Sequence, residues 1–157
     1  MDTRTLAKRG VELCREGEWQ QGLNLLVEVP KSDLVDRRLR ALSYSYLGYG
    51  MAKFHKQHRQ GLKLCEQAVQ IELCEAEVFL NLVRIRVMLN DRRGAVSAVR
   101  LGLQYHPGHP VLAEYRRTLG LRKRPVIPFL SRSNVLNRIL GQIRYQWSNS
   151  TRRRELL

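Results

Sequence analysis

An all-α fold of stacked helical hairpins is predicted by three observations. Apolar residues recur at helical spacing along most of the first 120 positions, and no stretch of any length alternates apolar and polar as a strand does. Only five prolines interrupt the 157 residues. The segment from Ala76 to His109, AEVFLNLVRIRVMLNDRRGAVSAVRLGLQYHPGH, reads as helix, turn, helix and closing proline. Its short side chains at Ala95 and Gly102 suit two helices that cross closely.

The elements follow in order. Residues Thr3 to Glu16 place Leu6, Gly10 or Val11, and Leu13 at helical spacing, and Gly17 stops them. A second helix runs from about Trp19 to Val29, and Pro30 ends it. Ser32 or Asp33 is expected to cap the next helix, because a short side-chain oxygen accepts an orphan amide hydrogen there. That helix continues through DLVDRRLRALSYSYLGYGMAKFH, and Gly61, Cys65 and Ala68 mark its partner. The hairpin beginning at Ala76 comes next, and the tight turn HPGHP closes it. Val111 to Leu119, ending at Gly120, forms a capping helix with Arg116 and Arg117 on its exposed face; without an end piece, the last apolar face would meet water.

Beyond Gly120 the character changes. LRKRPVIPFLSR holds two prolines three apart and is expected to be extended, with Val126, Ile127, Phe129 and Leu130 buried against something. SNVLNRILGQIRYQW is expected to form one short amphipathic helix with Leu136, Ile139, Leu140 and Ile143 on a face, and STRRRELL to be mobile. The expected organisation is a repeat domain over 1–120, made of hairpins 3–30, 35–75 and 76–109 with a capping helix 110–120, and a basic extension over 121–157.

With Ala76 as position one, Phe79 is fourth, Asn81 sixth, Leu82 seventh, Ala95 twentieth, Val99 twenty-fourth, Gly102 twenty-seventh and Pro107 thirty-second. In these slots the segment resembles the tetratricopeptide repeat (TPR), a helical hairpin of 34 residues that stacks into an α-α solenoid. It departs from that pattern at Val83, where the family prefers Gly or Ala, and at Arg86, where it prefers Tyr. Leu47 and Gly48 hold the family's Leu and Gly slots in the second hairpin, with one extra residue between its halves, and the first hairpin resembles a degenerate copy. With the run RPVIPFLSRSNVLNRILG after the repeats, the chain resembles a group of uncharacterised bacterial tetratricopeptide proteins, which implies no activity.

The resemblance does imply a mode of action. First helices of successive hairpins would line a concave groove for a protein or peptide partner, as in a scaffold or adaptor. The groove positions carry over to Leu80, Asn81, Arg84, Val87 and Met88 in the third hairpin, Tyr46, Tyr49 and Lys53 in the second, and Lys8, Val11 and Arg15 in the first. An Asn at the sixth position holds an extended peptide backbone, since its amide both donates and accepts. Basic neighbours favour an acidic peptide or a free C-terminal carboxylate. The paired Lys and Asn residues of a chaperone-tail clamp are not assembled.

Charge sharpens the division of the chain. From Arg116 onward there are eleven Arg or Lys and a single acid, Glu155, whereas residues 1–115 hold 17 basic and 13 acidic groups. The body is nearly balanced and the tail is a cationic arm. Arg122, Lys123, Arg124, Arg132, Arg138, Arg144, Arg152, Arg153 and Arg154 could supply phosphate contacts, and Tyr145 and Trp147 could stack on bases. An adaptor acting through this tail on nucleic acid or an anionic surface is therefore the alternative function, and homodimerisation through the extension is a further expected pairing.

Other classes find no support. No glycine-rich phosphate loop, HExxH or GxSxG is present, so a non-enzymatic protein without cofactor is expected. His55 with His58, and His106 with His109, lack a third ligand, so no metal is expected. Cys14, Cys65 and Cys74 have no CxxC spacing and read as buried structural thiols. The opening MDTRTLAKRGVEL lacks the apolar stretch of a signal peptide, and no segment reaches the roughly 18 to 20 apolar residues of a membrane span, so the expected location is cytoplasmic.

Overall fold

The computed structural model describes residues 2–29 and 36–120, together with Val135, Ile139, Leu140, Gln142 and Ile143. The chain divides into two units, Met1–Leu121 and Arg122–Leu157. The first holds seven helices: α1 (Thr3–Glu16), α2 (Trp19–Glu28), α3 (Arg37–Phe54), α4 (His58–Ile71), α5 (Ala76–Met88), α6 (Arg92–Tyr105) and α7 (Pro110–Gly120). No strand occurs among the described residues, as the helical periodicity predicts. In the second unit the five described residues are helical, and Val135, Ile139 and Ile143 are exposed. The expected extended run, the rest of the amphipathic helix and every named basic residue of the tail lie outside the described residues.

Local chemistry sets the helix ends. Gly17 closes α1 at φ 95°, a left-handed conformation that glycine adopts without penalty, and its amide reaches the carbonyls of Leu13 and Cys14. The cap of α3 differs from expectation. Asp36, three residues before Leu39, accepts the Leu39 amide at 3.2 Å, while Ser32 and Asp33 lie outside the described residues. Capping needs the side-chain oxygen within one turn of the orphan donor, and Asp36 sits at that spacing. Asp91 caps α6 in the same way, accepting from Gly94 at 2.9 Å. The α3–α4 and α5–α6 turns each pass through one left-handed residue, Lys56 at φ 57° and Asn90 at φ 56°.

Packing follows the hairpin scheme. α1 packs on α2, α3 on α4 and α5 on α6; α3 lies beside both α1 and α5, and α7 closes the stack on α6. Among the glycine crossings, the closest backbone-to-backbone approach is within the central hairpin. A Cβ on Gly48 would lie 2.6 Å from the Gly61 carbonyl oxygen, and one on Gly61 would lie 2.3 Å from that of Gly48. Gly10 and Gly22 perform the same service for α1 and α2, where a Cβ on Gly22 would meet the Gly10 carbonyl at 2.8 Å. In the third hairpin Val83, the departure noted in the sequence, is fully buried in a cluster with Ala98 and Val99, so the short side chains sit on the opposite helix. Arg86, the other departure, reaches Glu66 of α4 at 3.0 Å and Asp91 at 3.6 Å, joining neighbouring hairpins where the family places an aromatic ring.

Cys14 and Cys65 are buried, but Cys74 is exposed in the turn between α4 and α5, where no helix covers it. That corrects the expectation of three buried thiols.

Two outcomes are expected. Gly48→Ala gains up to about 1 kcal/mol of helix propensity but overpacks a backbone crossing, a change that costs about 1–3 kcal/mol; the urea midpoint will therefore fall. An unchanged or higher midpoint would show that the crossing is slack. Ellman's reagent at pH 8 will titrate one thiol per native chain, Cys74, and all three after denaturation.

Candidate functional site

α3 lies beside both α1 and α5, the three helices that carry the groove residues expected from the sequence. These helices hold two charged regions and a buried polar seam.

Asn81 lies at the centre of the seam and is 1% exposed. Its Nδ2 donates to Ser45 Oγ at 3.0 Å, and its Oδ1 accepts from Arg84 at 3.1 Å. An unpaired buried amide is costly, so these bonds hold α3 and α5 in register and fix the Arg84 side chain. Tyr46, Tyr49 and Leu80 are buried with it, as is Val11 on α1.

The first charged region lies between α1 and α3. Arg4, Lys8, Glu12, Arg15, Asp36 and Arg38 surround a cleft of about 370 Å³ whose apolar part is Val11, Leu39 and Leu42. Most of its cations have partners. Arg15 forms a bidentate pair with Glu77 of α5, with nitrogen–oxygen distances of 2.8–3.1 Å. Arg38 pairs with Glu75, and Arg4 with Asp36 at 3.7 Å. The Tyr46 phenol joins the Arg15–Glu77 cluster; burial, then the nearby Glu77 carboxylate, push its pKa up to about 12.

The second region gathers cations over aromatic rings. Lys53 Nζ lies 5.0 Å from the centroid of Phe54, 5.2 Å from Trp19 and 5.8 Å from Tyr49. Arg84 Cζ lies 5.3 Å from the Tyr49 centroid. Each ring offers its negative face to the cation. Trp19 stands edge-on to Tyr49 at 5.3 Å and also approaches Tyr46 and Phe54, so it packs the first hairpin against the second. Val87 and Met88, 40% and 37% exposed, lie on the last turn of α5.

The groove residues named from the sequence therefore separate into two groups. Lys8, Arg15, Lys53, Arg84, Val87 and Met88 reach the surface, while Tyr46, Tyr49, Leu80 and Asn81 are inside. Three contributors were not foreseen. Glu77 occupies the second position of its repeat, which the tetratricopeptide resemblance implies is a groove position, and that signal would have found it. Trp19 and Phe54 lie outside the frame's groove positions and come together only through the packing of α2 on α3.

Among the described residues, no group of three His, Cys, Asp or Glu side chains is placed to hold a metal ion, and no helix is long and apolar enough to cross a membrane. His106 instead has its Nε2 3.1 Å from the Leu73 carbonyl, beside the α4–α5 turn.

The order of helices and their close crossings define the α-α solenoid of tetratricopeptide domains. Among solved structures, the Arabidopsis OM64 TPR domain superposes with a TM-score of 0.62 at 16% identity, covering 75% of this chain and 93% of that one. At that identity the likeness establishes the fold. No protein-family model and no curated protein matches the chain in sequence.

The buried acids give the fold a pH dependence. Burial raises Cys14 from its ordinary 9.0 to about 11 and Cys65 from 9.0 to about 12, and Tyr46 rises from 10.0 to about 12. Above pH 9 the unfolded chain loses these protons before the folded chain does, so stability falls as pH rises from about 9 towards 12. Urea midpoints across that range are expected to decline, and less steeply in Cys65→Ala; parallel declines in the two proteins would exclude the Cys65 contribution.

Proposed function

We propose that this chain is a non-catalytic protein-interaction scaffold whose face formed by α1, α3 and α5 takes an acidic, partly apolar segment of a partner protein. The observation that carries the reading is the convergence of Lys53 and Arg84 on the Tyr49 ring, beside the exposed Val87 and Met88. Among the described residues neither cation is in an ion pair. A cation over a ring keeps N–H donors for a carboxylate, and Arg84 has only one nitrogen engaged, by Asn81. Asn81 then acts through Arg84, orienting the guanidinium rather than touching the peptide. Lys8 extends the positive potential towards α1. The apolar side chains supply the anchor that charge alone lacks, since exposed ion pairs contribute little.

Division of labour follows on the same reading: the repeats over 1–120 carry the binding face, and the extension over 121–157 is a separate cationic segment. A carboxylate-rich protein surface is the favoured partner, in keeping with the body's excess of basic groups.

Selection from a randomised peptide library against the full chain is expected to enrich sequences that place an acid beside a large apolar residue. Lys53→Glu with Arg84→Glu will weaken the selected peptides at least tenfold, about 1.4 kcal/mol, in a chain that is still folded at the assay temperature, although its thermal midpoint falls because Asn81 Oδ1 loses its donor. Enrichment of basic sequences, or binding indifferent to the double reversal, would refute the reading.

A further inference from the structure

A second surface, separate from the residues of the face proposed above, lies at the end of the stack. Helix α7 stands where the first helix of a fourth hairpin would stand, and among the described residues of Met1–Leu121 it has no second helix to pair with. One repeat earlier the corresponding position is filled: Ala98, Val99 and Leu103 of α6 join Leu62, Cys65 and Val69 of α4 in one apolar cluster. One repeat later, α6 and α7 leave a groove of about 360 Å³, walled by Val96, Val99 and Leu103 on one side and by Tyr115 and Leu119 on the other. Val96 is 38% exposed although its environment is apolar.

The rim of the groove is positive. Arg100 stands on the α6 side and Arg116 on the α7 side. Throughout its 14 residues α6 carries Arg92, Arg93 and Arg100 and no acid.

We propose that this groove docks an amphipathic helix of a partner protein, with acidic residues flanking the helix's apolar stripe. Two parallel apolar walls accept a third helix through side chains spaced three and four residues apart. Val96 to Leu103 spans two turns, about 10 Å, which matches three such anchors. The rim selects the charge. Residues 121–157 hold nine Arg or Lys and one acid, so this chain's own extension, or that of a second copy, would bring cations against Arg100 and Arg116. An acidic helix meets attraction at the same place. Nucleic acid would satisfy the arginines but not the apolar walls.

The test uses the full chain and two fluorescein-labelled synthetic helices of 18 residues (a length chosen to give about five turns), with one leucine stripe flanked by Glu in the first and by Lys in the second. The Glu helix is expected to bind at least tenfold more tightly than the Lys helix by anisotropy. Val96→Glu will weaken it at least tenfold, and Arg100→Glu with Arg116→Glu will invert the preference. All three side chains are exposed, and a thermal melt verifies folding of each variant. Lys53→Glu will leave the affinity unchanged, which separates this site from the face proposed above; loss on Lys53→Glu would overturn the assignment. So would failure of the Glu helix to bind, equal binding of both helices, or insensitivity to Val96→Glu. A photo-crosslinker at position 96 that joins residues 121–157 of the same chain would identify the occupant as the extension. A dimer abolished by Val96→Glu would identify it as a second copy. A 20-nucleotide RNA that displaces the Glu helix and binds Val96→Glu undiminished would identify the rim as a phosphate site; each of these three outcomes overturns the proposal.

Discussion

The backbone contact between Gly48 and Gly61 is the constraint on which the rest of the first unit depends. With no Cβ on either residue, α3 and α4 approach until the carbonyl of one glycine occupies the space of the other's missing side chain. The central hairpin is therefore thin, and α3 can be enclosed on nearly all sides by α1, α2, α4 and α5. A thicker crossing would push α3 outward and separate Ser45 from Asn81, which are now joined at 3.0 Å. The two hairpins flanking the central one use variants of the same solution: paired glycines in the first, and short residues on α6 facing Val83 in the third.

Enclosure of α3 determines what its side chains can do. Eleven of its 18 residues are buried, including Ser43 and Ser45, whose hydroxyls need partners inside. Ser43 donates to the Leu39 carbonyl at 2.8 Å, and Ser45 receives the Asn81 amide. The polar seam is thus a consequence of a central helix buried beyond its apolar stripe. Its outward product is the placement of Arg84, held on one side by Asn81 and on the other by the Tyr49 ring. The position of this surface charge is fixed by the interior.

Legibility in the sequence followed the range of each cause. The bounds of α1 and its glycine stop depend on residues within a few positions of one another, and both were readable. The cap of α3 was misplaced because Ser32, Asp33 and Asp36 are all capable acceptors, and residue type does not choose among them. Asn81 reads as a groove residue from its frame position. Its burial follows from Ser45, 36 residues earlier, which no local pattern connects to it. Cys74 reads as buried from residue type, whereas its exposure is a property of the turn. The Trp19, Lys53 and Phe54 cluster joins residues from two hairpins, and neighbours across hairpins are what a single-repeat frame leaves out.

The pair formed by Arg15 and Glu77 spans 62 residues, from the first hairpin to the third, over the top of Tyr46 on the second. Solenoid energetics are ordinarily those of a one-dimensional array, in which each repeat interacts only with its neighbours. A tie between next-nearest repeats adds a term of a different kind. Arg15 is 41% and Glu77 33% exposed, so solvent screens the pair and its contribution is small. Its loss at high salt would nevertheless be felt by the first and third hairpins together, whereas a contact between adjacent repeats is felt by neighbours.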